Sequence, residues 1–431
     1  MILVCAIKSK LKLMAPTTTA MNRILAFGGK LFISITIGVV FVEVMLRLVP
    51  LKYMGYNSTF RFVSDSATGY KPAPNQDAVY NLECLRNPHV KTNSLGMRGA
   101  EWTDTAGPRI ALLGDSYMMA LTMSDDKHLA TLLQAHTGAQ VLNAGVSGYG
   151  TYQELLVWKD LLKERHPDIT LLFVYLENDV RDSHCKLCRA ENQIYCPCCE
   201  IKNGTVTKRT DFEIRAVPET GWKEWLKKNC YTYVLLRKLK NETRTTEKPK
   251  QHFFDKESFA YNVYRPNLST GWQEGWQVIE WSVRELKRQC DSANSKLLIV
   301  NIGGVIQTAW DLRVEMKKQL GNDYIPEDFD IKYPINQLNA IADSAGVEVL
   351  DLLPAFVAYR NRHKLPEPVF SWCCDGHWNP LGHRLAADLV YNHLVQLKWI
   401  DGRPIPATPA PAEVLGPQLM EDIYTGQTVK F

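Results

Sequence analysis

Five short apolar runs alternate along this chain with segments of helical periodicity, and this alternation constrains the fold more than any other feature. The apolar runs are rich in branched residues and are bounded by turn signals: Arg109–Leu113, Ala139–Leu142, Ile169–Leu176, Lys296–Ile302 and Val347–Leu352. Runs of this kind predict strands that are buried on both faces. The helical patterns fall between or after them: His128–His136, Thr151–Glu164, Trp272–Ala293, Ile335–Ala345 and Pro380–Leu397. The alternation predicts an α/β fold with a mostly parallel five-stranded sheet covered by helices on both sides.

Composition bounds the class of protein. The chain has 431 residues, of which 45% are hydrophobic and 22% are charged, so it can bury a sizeable core. Its formal net charge is only +4, and no dense stripe of lysine and arginine runs through its middle. We therefore expect no nucleic-acid partner.

The amino terminus predicts a membrane anchor. Residues 1–30 contain lysine and arginine but no aspartate or glutamate, and the apolar segment that follows is long enough to span a bilayer over residues 31–50. Glu43 is a charged residue within that span. Because no small-residue cleavage site follows, we expect a retained anchor with residues 1–30 in the cytoplasm and the rest in the periplasm or extracellular space. The alternative is an amphipathic or buried helix of a soluble protein.

Composition shifts divide the remaining chain. We expect a linker and lead-in over residues 51–105 and a main domain over residues 106–400. A polar, cysteine-containing insertion interrupts that domain at about residues 180–265 and forms either a lid or a separate subdomain. The Pro-rich tail, residues 401–431, has weak periodicity and is expected to be extended or partly disordered.

Ten of the eleven cysteines follow the predicted anchor. Six of the residues in the segment 184–199, HCKLCRAENQIYCPCC, are cysteines or histidine, a spacing that also suits zinc. Zinc needs reduced thiols, whereas an extracytoplasmic compartment oxidises them, so we favour disulfides over zinc. The sequence does not give their connectivity.

Ser116 is the first candidate catalytic residue. It follows the first predicted strand in RIALLGDSY, and ligands of open α/β sheets bind at the carboxyl ends of strands. Gly114 leaves room for a tight turn that exposes the hydroxyl. A nucleophilic serine needs a base and an acid that orients it, and Asp375 and His377 in CCDGHWNPLGH are a candidate pair. The alternative is that the Asp115–Ser116 pair merely caps a helix.

Four blocks in order resemble one enzyme family. RIALLGDSY, LNAGVSGYGTYQE, VYLENDVRD and DGHWNPLGH have the order and rough spacing of the blocks of the SGNH hydrolases, also called GDSL esterases. The upstream NSLGMRG is similar to the lead-in of membrane-anchored bacterial members. The resemblance covers roughly residues 93–398 and implies a flavodoxin-like three-layer sandwich, here with an added N-terminal transmembrane helix.

The resemblance also implies a role for each matched residue. Ser116 would be the nucleophile, His377 the general base and Asp375 the acid that orients it. The backbone N–H groups of Ser116 and Gly145 and the side-chain amide of Asn178 would form the oxyanion hole. Neither a metal nor another cofactor is implied, and Asp115 becomes a structural support rather than the catalytic acid.

Two departures from the family pattern bear on these roles. The third block usually reads Gly-x-Asn-Asp, but residues 176–179 read LEND. The last block usually reads Asp-x-x-His, but Asp375 and His377 are separated only by glycine, a spacing that is similar to relatives that acetylate exported polysaccharides.

Simpler interpretations stay open for several residues. Gly145 can be a turn glycine, Asn178 a cap and His377 a surface histidine. His383, within the last predicted helix, is expected to be structural. The aromatic residues beside the blocks either line a sugar-binding cleft or pack in the core: Tyr117, Tyr149, Trp372 and Trp378.

The sequence therefore predicts a serine ester hydrolase that acts outside the cytoplasm on an acylated carbohydrate or small ester. The alternatives are an O-acetyltransferase that modifies an exported polysaccharide and a non-catalytic cell-surface binding protein. A disulfide between the insertion and Cys373 or Cys374 is expected to hold the loop that carries Asp375 and His377.

Overall fold

The five apolar runs form five parallel strands, each within two residues of its predicted bounds. The computed structural model describes residues 18–48, 57–81, 85–86, 88–103, 107–190, 197–209, 222, 225–226, 230–244, 253–309, 311–321, 324–365, 369–372, 375–406, 408–425 and 429–430. The strands, numbered along the chain, are β1 Asn57–Ser58, β2 Phe62–Asp65, β3 Gly69–Pro72, β4 Asp77–Asn81, β5 Leu85–Arg86, β6 His89–Lys91, β7 Arg109–Leu113, β8 Gln140–Asn143, β9 Ile169–Val174, β10 Cys198–Lys202, β11 Thr205–Arg209, β12 Lys296–Asn301, β13 Glu348–Asp351 and β14 Val429–Lys430.

The helices have the following bounds: α1 Thr18–Leu48, α2 Ser116–Met119, α3 Leu129–Thr137, α4 Thr151–Val157, α5 Leu176–Ser183, α6 Cys185–Ala190, α7 Tyr231–Arg244, α8 Thr270–Ser292, α9 Val305–Thr308, α10 Leu312–Leu320, α11 Tyr333–Ala345, α12 Leu353–His363, α13 Pro380–Gln396 and α14 Pro411–Thr425. The helix α4 continues without a break into a π-helical segment, Trp158–Leu162. All five predicted helical segments are present, and α12 is a helix that the sequence pattern did not predict.

The central sheet has the strand order β13-β12-β9-β7-β8, and each neighbouring pair is parallel. Counted by first appearance in the chain, this is the order 2-1-3-4-5 of flavodoxin-like sheets, as expected. The chain leaves the first strand, β7, to one side and returns to its other side as β9. The carboxyl ends of β7 and β9 therefore flank the topological switch point, where ligands bind in open α/β sheets.

Side chains alternate between two cores along each central strand. Ile110 and Leu112 of β7 pack with α3, α12 and α13 on one face, whereas Ala111 and Leu113 pack with α4, α8 and α11 on the other. These four side chains are fully buried. Burial on both faces is the reason that the strands read as continuous apolar runs rather than as alternating patterns.

The lead-in contains strands of its own. The antiparallel group β1-β4-β6 and the hairpin β2-β3 lie between residues 57 and 91. Phe60, Ala78 and Val90 from this segment pack against Met119 and Leu121, which directly follow the Ser116 turn. The lead-in is thus part of the structure that surrounds Ser116.

The insertion contains a disulfide bond between Cys185 and Cys198. The bond joins α6 to the first strand of the hairpin β10-β11. Because these two sulfurs are joined to each other, they do not act as zinc ligands, and the disulfide interpretation holds for this pair. Cys196, Cys373 and Cys374 lie outside the described residues, as does the expected disulfide to the loop that carries Asp375.

The apolar N-terminal segment forms the 31-residue helix α1. Its stretch from Ala26 to Leu48 has a mean hydropathy of 2.2, and only 6% of the most apolar part is buried. A helix this long and apolar is sufficient to cross a membrane, although signal sequences and some core helices share these properties.

The carboxyl-terminal tail is partly helical. Leu415 and Leu419 of α14 are buried in the same core as α13. Thr408 donates a hydrogen bond of 2.8 Å from its hydroxyl to Asp388 of α13. Residues 408–425 are therefore attached to the domain, in contrast to the extended or disordered tail that composition suggested.

Candidate active site

Ser116 begins the short helix α2 directly after the buried strand β7. The turn needs glycine at position 114, because a Cβ atom there would lie 2.5 Å from Cγ of Met118 and 3.2 Å from Cβ of Phe173. Asp115 caps the helix, since its Oδ1 accepts a 2.9 Å hydrogen bond from the backbone N–H of Tyr117. The cap interpretation is therefore correct for Asp115, and it leaves the Ser116 hydroxyl partly exposed at the end of the sheet.

Ser116, His377 and Asp375 form one hydrogen-bonded chain. His377 Nε2 lies 2.7 Å from Ser116 Oγ, across 261 residues of sequence. Its Nδ1 lies 2.6 Å from Asp375 Oδ2. This is the arrangement in which a carboxylate orients an imidazole toward a hydroxyl.

The short Asp-Gly-His spacing is accommodated by a closed turn. Gly376 adopts a left-handed backbone conformation with φ of 80°. Trp372 N–H donates to the carbonyl of His377 over 2.9 Å, which joins the two sides of the turn. Asn379 then caps α13 by accepting hydrogen bonds from the N–H groups of Leu381 and Gly382. The turn and the cap together hold His377 at the start of α13.

Opposing effects set the basicity of His377. Its burial by itself would lower the pKa, but the hydrogen bond and charge of Asp375, together with the charge of Asp115, raise the pKa above its ordinary value. A higher pKa makes the neutral imidazole a stronger proton acceptor. The side chains of His377 and Asp375 are 29% and 19% exposed, so the pair is reachable from solvent.

The predicted oxyanion donors differ in their hydrogen bonds. Among the described residues, none accepts a hydrogen bond from the backbone N–H of Ser116. The N–H of Gly145 donates to Asn143 Oδ1 over 3.0 Å. The side-chain amide of Asn178 donates to Asp115 Oδ2 over 2.9 Å and has a second hydrogen besides the one used there. An anion beside Ser116 would thus meet the Ser116 N–H and the second amide hydrogen of Asn178, whereas the Gly145 N–H already has an acceptor.

Gly145 is required by packing as well as by any role in catalysis. A Cβ atom at this position would lie 2.4 Å from Cβ of Met118 and 2.9 Å from the backbone nitrogen of Met119. The loop after β8 therefore rests directly on α2, the helix that Ser116 begins.

Asp115 links Asn178 to the helix α2. It is only 1% exposed, and burial raises its pKa, although the hydrogen bonds from Asn178 and Tyr117 act in the opposite direction. Its Oδ2 also lies 3.4 Å from Ser116 Oγ. This position agrees with a supporting role for Asp115.

The aromatic residues beside the motifs lie in the core. Four of them are each no more than 4% exposed: Tyr117, Tyr149, Trp372 and Trp378. The ring of Tyr117 packs against His377, with centroids 5.1 Å apart, and against Tyr175, with centroids 4.8 Å apart. Tyr117 therefore supports the histidine, and the four buried aromatics do not form an open sugar-binding surface.

The contacts of His383 are structural, as expected. It is 1% exposed within α13, and its Nδ1 accepts a 3.4 Å hydrogen bond from the N–H of Leu129. Burial lowers the pKa of His383 to about 3, assisted by the positive charge of Arg98, so the ring is neutral.

Comparisons with known proteins find solved structures of only distant similarity. No protein-family model and no curated protein matches the chain. An acetyl xylan esterase is 16% identical, with an alignment that covers 66% of this chain and 99% of that one and a TM-score of 0.36. An acetylxylan esterase from Geobacillus stearothermophilus is 14% identical over 69% of this chain and 98% of its own, with a TM-score of 0.34.

An α/β hydrolase from the metagenome of Lake Arreo, Spain, is 13% identical, with a TM-score of 0.36 over 69% of this chain and 98% of its own. Similarity at this level does not decide the family. The fold assignment rests on the strand order and register of the central sheet.

Three buried polar residues in or beside the site were not identified from the sequence pattern. Asn143 holds the Gly145 N–H and donates from its amide to the Met118 carbonyl over 2.9 Å. A polar residue at the end of a buried apolar strand was the available signal for it. Glu177 is 5% exposed and accepts hydrogen bonds from the hydroxyls of Tyr175 and Tyr264, the latter over 2.7 Å.

Arg98 is the third of these residues. It lies in the NSLGMRG lead-in, is 4% exposed and donates to the carbonyls of Met119, Ala120 and Met123. It also pairs with Asp125 over 2.9 Å. The lead-in motif marked the segment, but the contact to the far end of α2 appears only in three dimensions.

Proposed function

We propose that this chain is a serine ester hydrolase of the SGNH type that acts through a Ser116–His377–Asp375 acyl-enzyme mechanism. The single observation that carries the proposal is the hydrogen-bonded chain from Asp375 Oδ2 through both ring nitrogens of His377 to Ser116 Oγ. It lies at the carboxyl ends of parallel strands, at the switch point of the sheet.

In the proposed mechanism, His377 takes the hydroxyl proton as Ser116 Oγ attacks the ester carbonyl. Asp375 holds the ring with Nε2 toward Ser116 and stabilises the imidazolium. The N–H of Ser116 and the second amide hydrogen of Asn178 would donate to the oxyanion. The Gly145 N–H would join them only if Asn143 moves away, because Asn143 Oδ1 accepts its hydrogen bond.

We further propose that α1 anchors the enzyme in a membrane with its amino terminus in the cytoplasm and the catalytic domain outside. Three observations support this orientation: the basic residues before the apolar segment, the apolar helix itself, and the Cys185–Cys198 disulfide. Disulfides persist in compartments outside the cytoplasm. The proposed substrates are O-acyl groups of a carbohydrate or of a small ester.

Acyl transfer to a sugar is the second candidate function, and the Asp375-Gly376-His377 spacing favours it. Hydrolysis and transfer share the same acyl-enzyme, and they differ in whether water or a sugar hydroxyl attacks it. The two reactions therefore call for the same residues and are separated by their products.

The test is turnover of p-nitrophenyl acetate by the full chain in detergent micelles. Ser116→Ala is expected to lower kcat by about 10⁴-fold or more, since the nucleophile is lost. Ser124→Ala is the matched control, because its side chain makes no capping hydrogen bond, and it should retain native turnover. A fluorophosphonate probe should label the peptide that contains Ser116.

Product analysis in the presence of xylo-oligosaccharides separates the two candidates. Acetate alone indicates a hydrolase, whereas O-acetylated sugar that forms faster than acetate indicates a transferase. Neither turnover nor labelling at Ser116 would refute both.

A further inference from the structure

The membrane-type helix α1 and the insertion helix α7 are joined through Glu43. Its carboxylate accepts hydrogen bonds from the backbone N–H of Tyr231 over 3.0 Å and from that of Thr232 over 2.8 Å. The hydroxyl of Thr232 adds a third over 2.9 Å. Glu43 therefore caps the first turn of a helix that lies 188 residues further along the chain.

The contact has the electrostatics that a helix amino terminus needs. The first N–H groups of a helix have no partners within the helix, and a negative charge near them is stabilising. Arg47 completes the cluster: its Nη2 lies 2.8 Å from Glu43 Oε1, and its guanidinium lies 5.0 Å from the centroid of the Tyr231 ring. A charge that is costly in an apolar helix thus has partners at this one place.

The junction lies near one end of the apolar stretch. Glu43 precedes Leu48, the last residue of the stretch, by five positions. At a rise of about 1.5 Å per residue, this is about 7 Å along the helix axis. Because a bilayer core needs about 20 apolar residues, Glu43 falls close to the boundary between acyl chains and headgroups. The start of α7 lies at the same level.

The exposed residues of α7 and of the segment before it include large apolar side chains beside basic ones. Leu236 and Leu239, one turn apart, are 61% and 48% exposed, and Trp222 and Trp225 are 69% and 62% exposed. A group of large apolar side chains with this exposure marks an interaction surface. Tryptophan is also the residue that is typical of membrane interfaces.

The segment that contains α7 has an excess of basic residues. Residues 222–240 contain six basic residues and a single acidic one, Glu224. Positive charge beside apolar and aromatic side chains is the signature of helices that lie in the plane of an anionic membrane surface.

We propose that α7, with Trp222 and Trp225, lies on the lipid bilayer beside the anchor α1. Leu236, Leu239 and the two tryptophans enter the boundary between headgroups and acyl chains, and the basic side chains contact anionic headgroups. Glu43 sets the position of the helix relative to the anchor. The insertion is then a second membrane contact, which fixes the orientation of the domain; this inference rests on the anchor proposed above.

Photocrosslinking of the full chain in vesicles of phosphatidylethanolamine and phosphatidylglycerol tests the proposal. The photoreactive residue p-benzoylphenylalanine replaces one residue at a time: Phe32, Leu236, Leu239 or Val314. Phe32 is 71% exposed on α1 and reports the anchor, while Val314 is 64% exposed on α10 and is the negative control. Lipid adducts, detected as mass shifts, are expected at Phe32, Leu236 and Leu239, at least fivefold above Val314.

The four positions separate the failure of the anchor from the failure of the inference. Adducts at Phe32 without adducts at Leu236 and Leu239 would overturn the docking of α7. The absence of adducts at Phe32 would overturn the anchor. Crosslinks from Leu236 to another protein chain instead of lipid would also overturn the proposal.

Glu43→Ala gives a second measurement that does not depend on the probe sites alone. In the Phe32 background, adduct yield should be unchanged, since the anchor remains apolar. In the Leu236 background, adduct yield should fall severalfold, and the amides of residues 231–235 should exchange hydrogen faster, because the cap of α7 is lost. Unchanged yield and unchanged exchange would show that Glu43 does not hold α7 at the membrane.

Discussion

At the scale of single residues, the raised pKa of His377 depends on Asp375. Burial lowers the pKa of the imidazole, and only the neighbouring carboxylates, chiefly Asp375, raise it above the ordinary value. Protonated His377 cannot accept the proton of Ser116, so activity should be lost as pH falls through this raised pKa. The acid limb of the pH profile is therefore expected above the range of an ordinary histidine.

Asp375→Asn should move that limb in the opposite direction. Without the carboxylate, burial dominates and the pKa of His377 falls, so the acid limb of kcat/KM shifts to lower pH. The maximum rate should nevertheless drop by about 10⁴-fold, because the ring is no longer held in the correct tautomer. The measurement is kcat/KM for p-nitrophenyl acetate between pH 4 and about pH 9, a range that brackets the ordinary pKa of histidine. An unshifted limb with native activity would contradict the assignment of Asp375.

Asn143 connects the loop after β8 to the helix α2. Its Oδ1 accepts a hydrogen bond from the Gly145 N–H, and its amide donates one to the Met118 carbonyl. These two bonds fix the distance between the loop after β8 and the helix α2. Whether the Gly145 N–H turns toward a substrate is decided by this one amide.

At the scale of elements, the lead-in holds the helix α2, which begins with Ser116, through Arg98. The helix α2 has only four residues, so its carbonyls have few partners within it. Arg98 donates to the carbonyls of Met119 and Ala120 and reaches that of Met123. A separate set of antiparallel strands is thereby connected to the turn that presents Ser116.

Arg98→Ala should therefore destabilise the domain. It removes the Arg98 donor from the buried carbonyls of Met119 and Met123, leaves the Ala120 carbonyl with only the Met123 N–H, and leaves Asp125 without its cation. We expect a loss of about 3–5 kcal/mol in the free energy of unfolding. Urea unfolding of the full chain in detergent micelles measures this loss. Lys91→Ala, on the same lead-in but with an exposed side chain, is the control and should cost less than about 0.5 kcal/mol. Equal stabilities of the two variants would refute the role of Arg98.

The disulfide is the second device at this scale. It closes a loop with a sequence separation of 13 residues. Replacing both partners, Cys185→Ala with Cys198→Ala, should lower the free energy of unfolding by about 3 kcal/mol through the greater freedom of the unfolded chain.

Cys290→Ala removes a buried free thiol instead and serves as the control, with an expected loss of about 1 kcal/mol. Urea unfolding of the two variants compares them. If the double variant lost no more than the control, the disulfide would not stabilise the insertion.

At the scale of the whole molecule, the carboxyl-terminal tail completes one face of the domain. Leu419→Ala should lower the free energy of unfolding by about 2–3 kcal/mol, because Leu419 is buried against the core that contains α13. Glu413 is exposed on the same tail segment, before its kink at Gly416, and Glu413→Ala should change the free energy of unfolding by less than about 0.5 kcal/mol. A tail that did not pack would make the two variants equal, which urea unfolding would reveal.

The sequence was sufficient for the sheet and for the grouping of Ser116, Asp375 and His377. Strands buried on both faces leave long apolar runs, and the motif order predicts that these three residues meet; their catalytic roles stay a proposal. The lead-in strands are only two to five residues long, too short for periodicity to stand out. The helix α12 was missed because it contains a buried arginine, Arg360, within its polar run.

Contacts between polar residues that lie far apart along the chain could not be predicted from the sequence, for a different reason. Glu43 looked like a flaw in an apolar segment, and only its position at the start of α7 gives it a partner. Arg98 and Asn143 likewise contact backbone groups. Because every residue type has these groups, the identity of the partner residue gives no sign of the contact.

The separation in sequence between the proposed nucleophile and its proposed base also sets a time for assembly of the site. Ser116 and His377 are separated by 261 positions, and the helix that positions His377 comes later still. At about 5–20 residues per second, a ribosome completes His377 roughly 13–50 s after Ser116. During that interval the growing polypeptide carries Ser116 without His377, so the proposed site can assemble only after both segments have been synthesised.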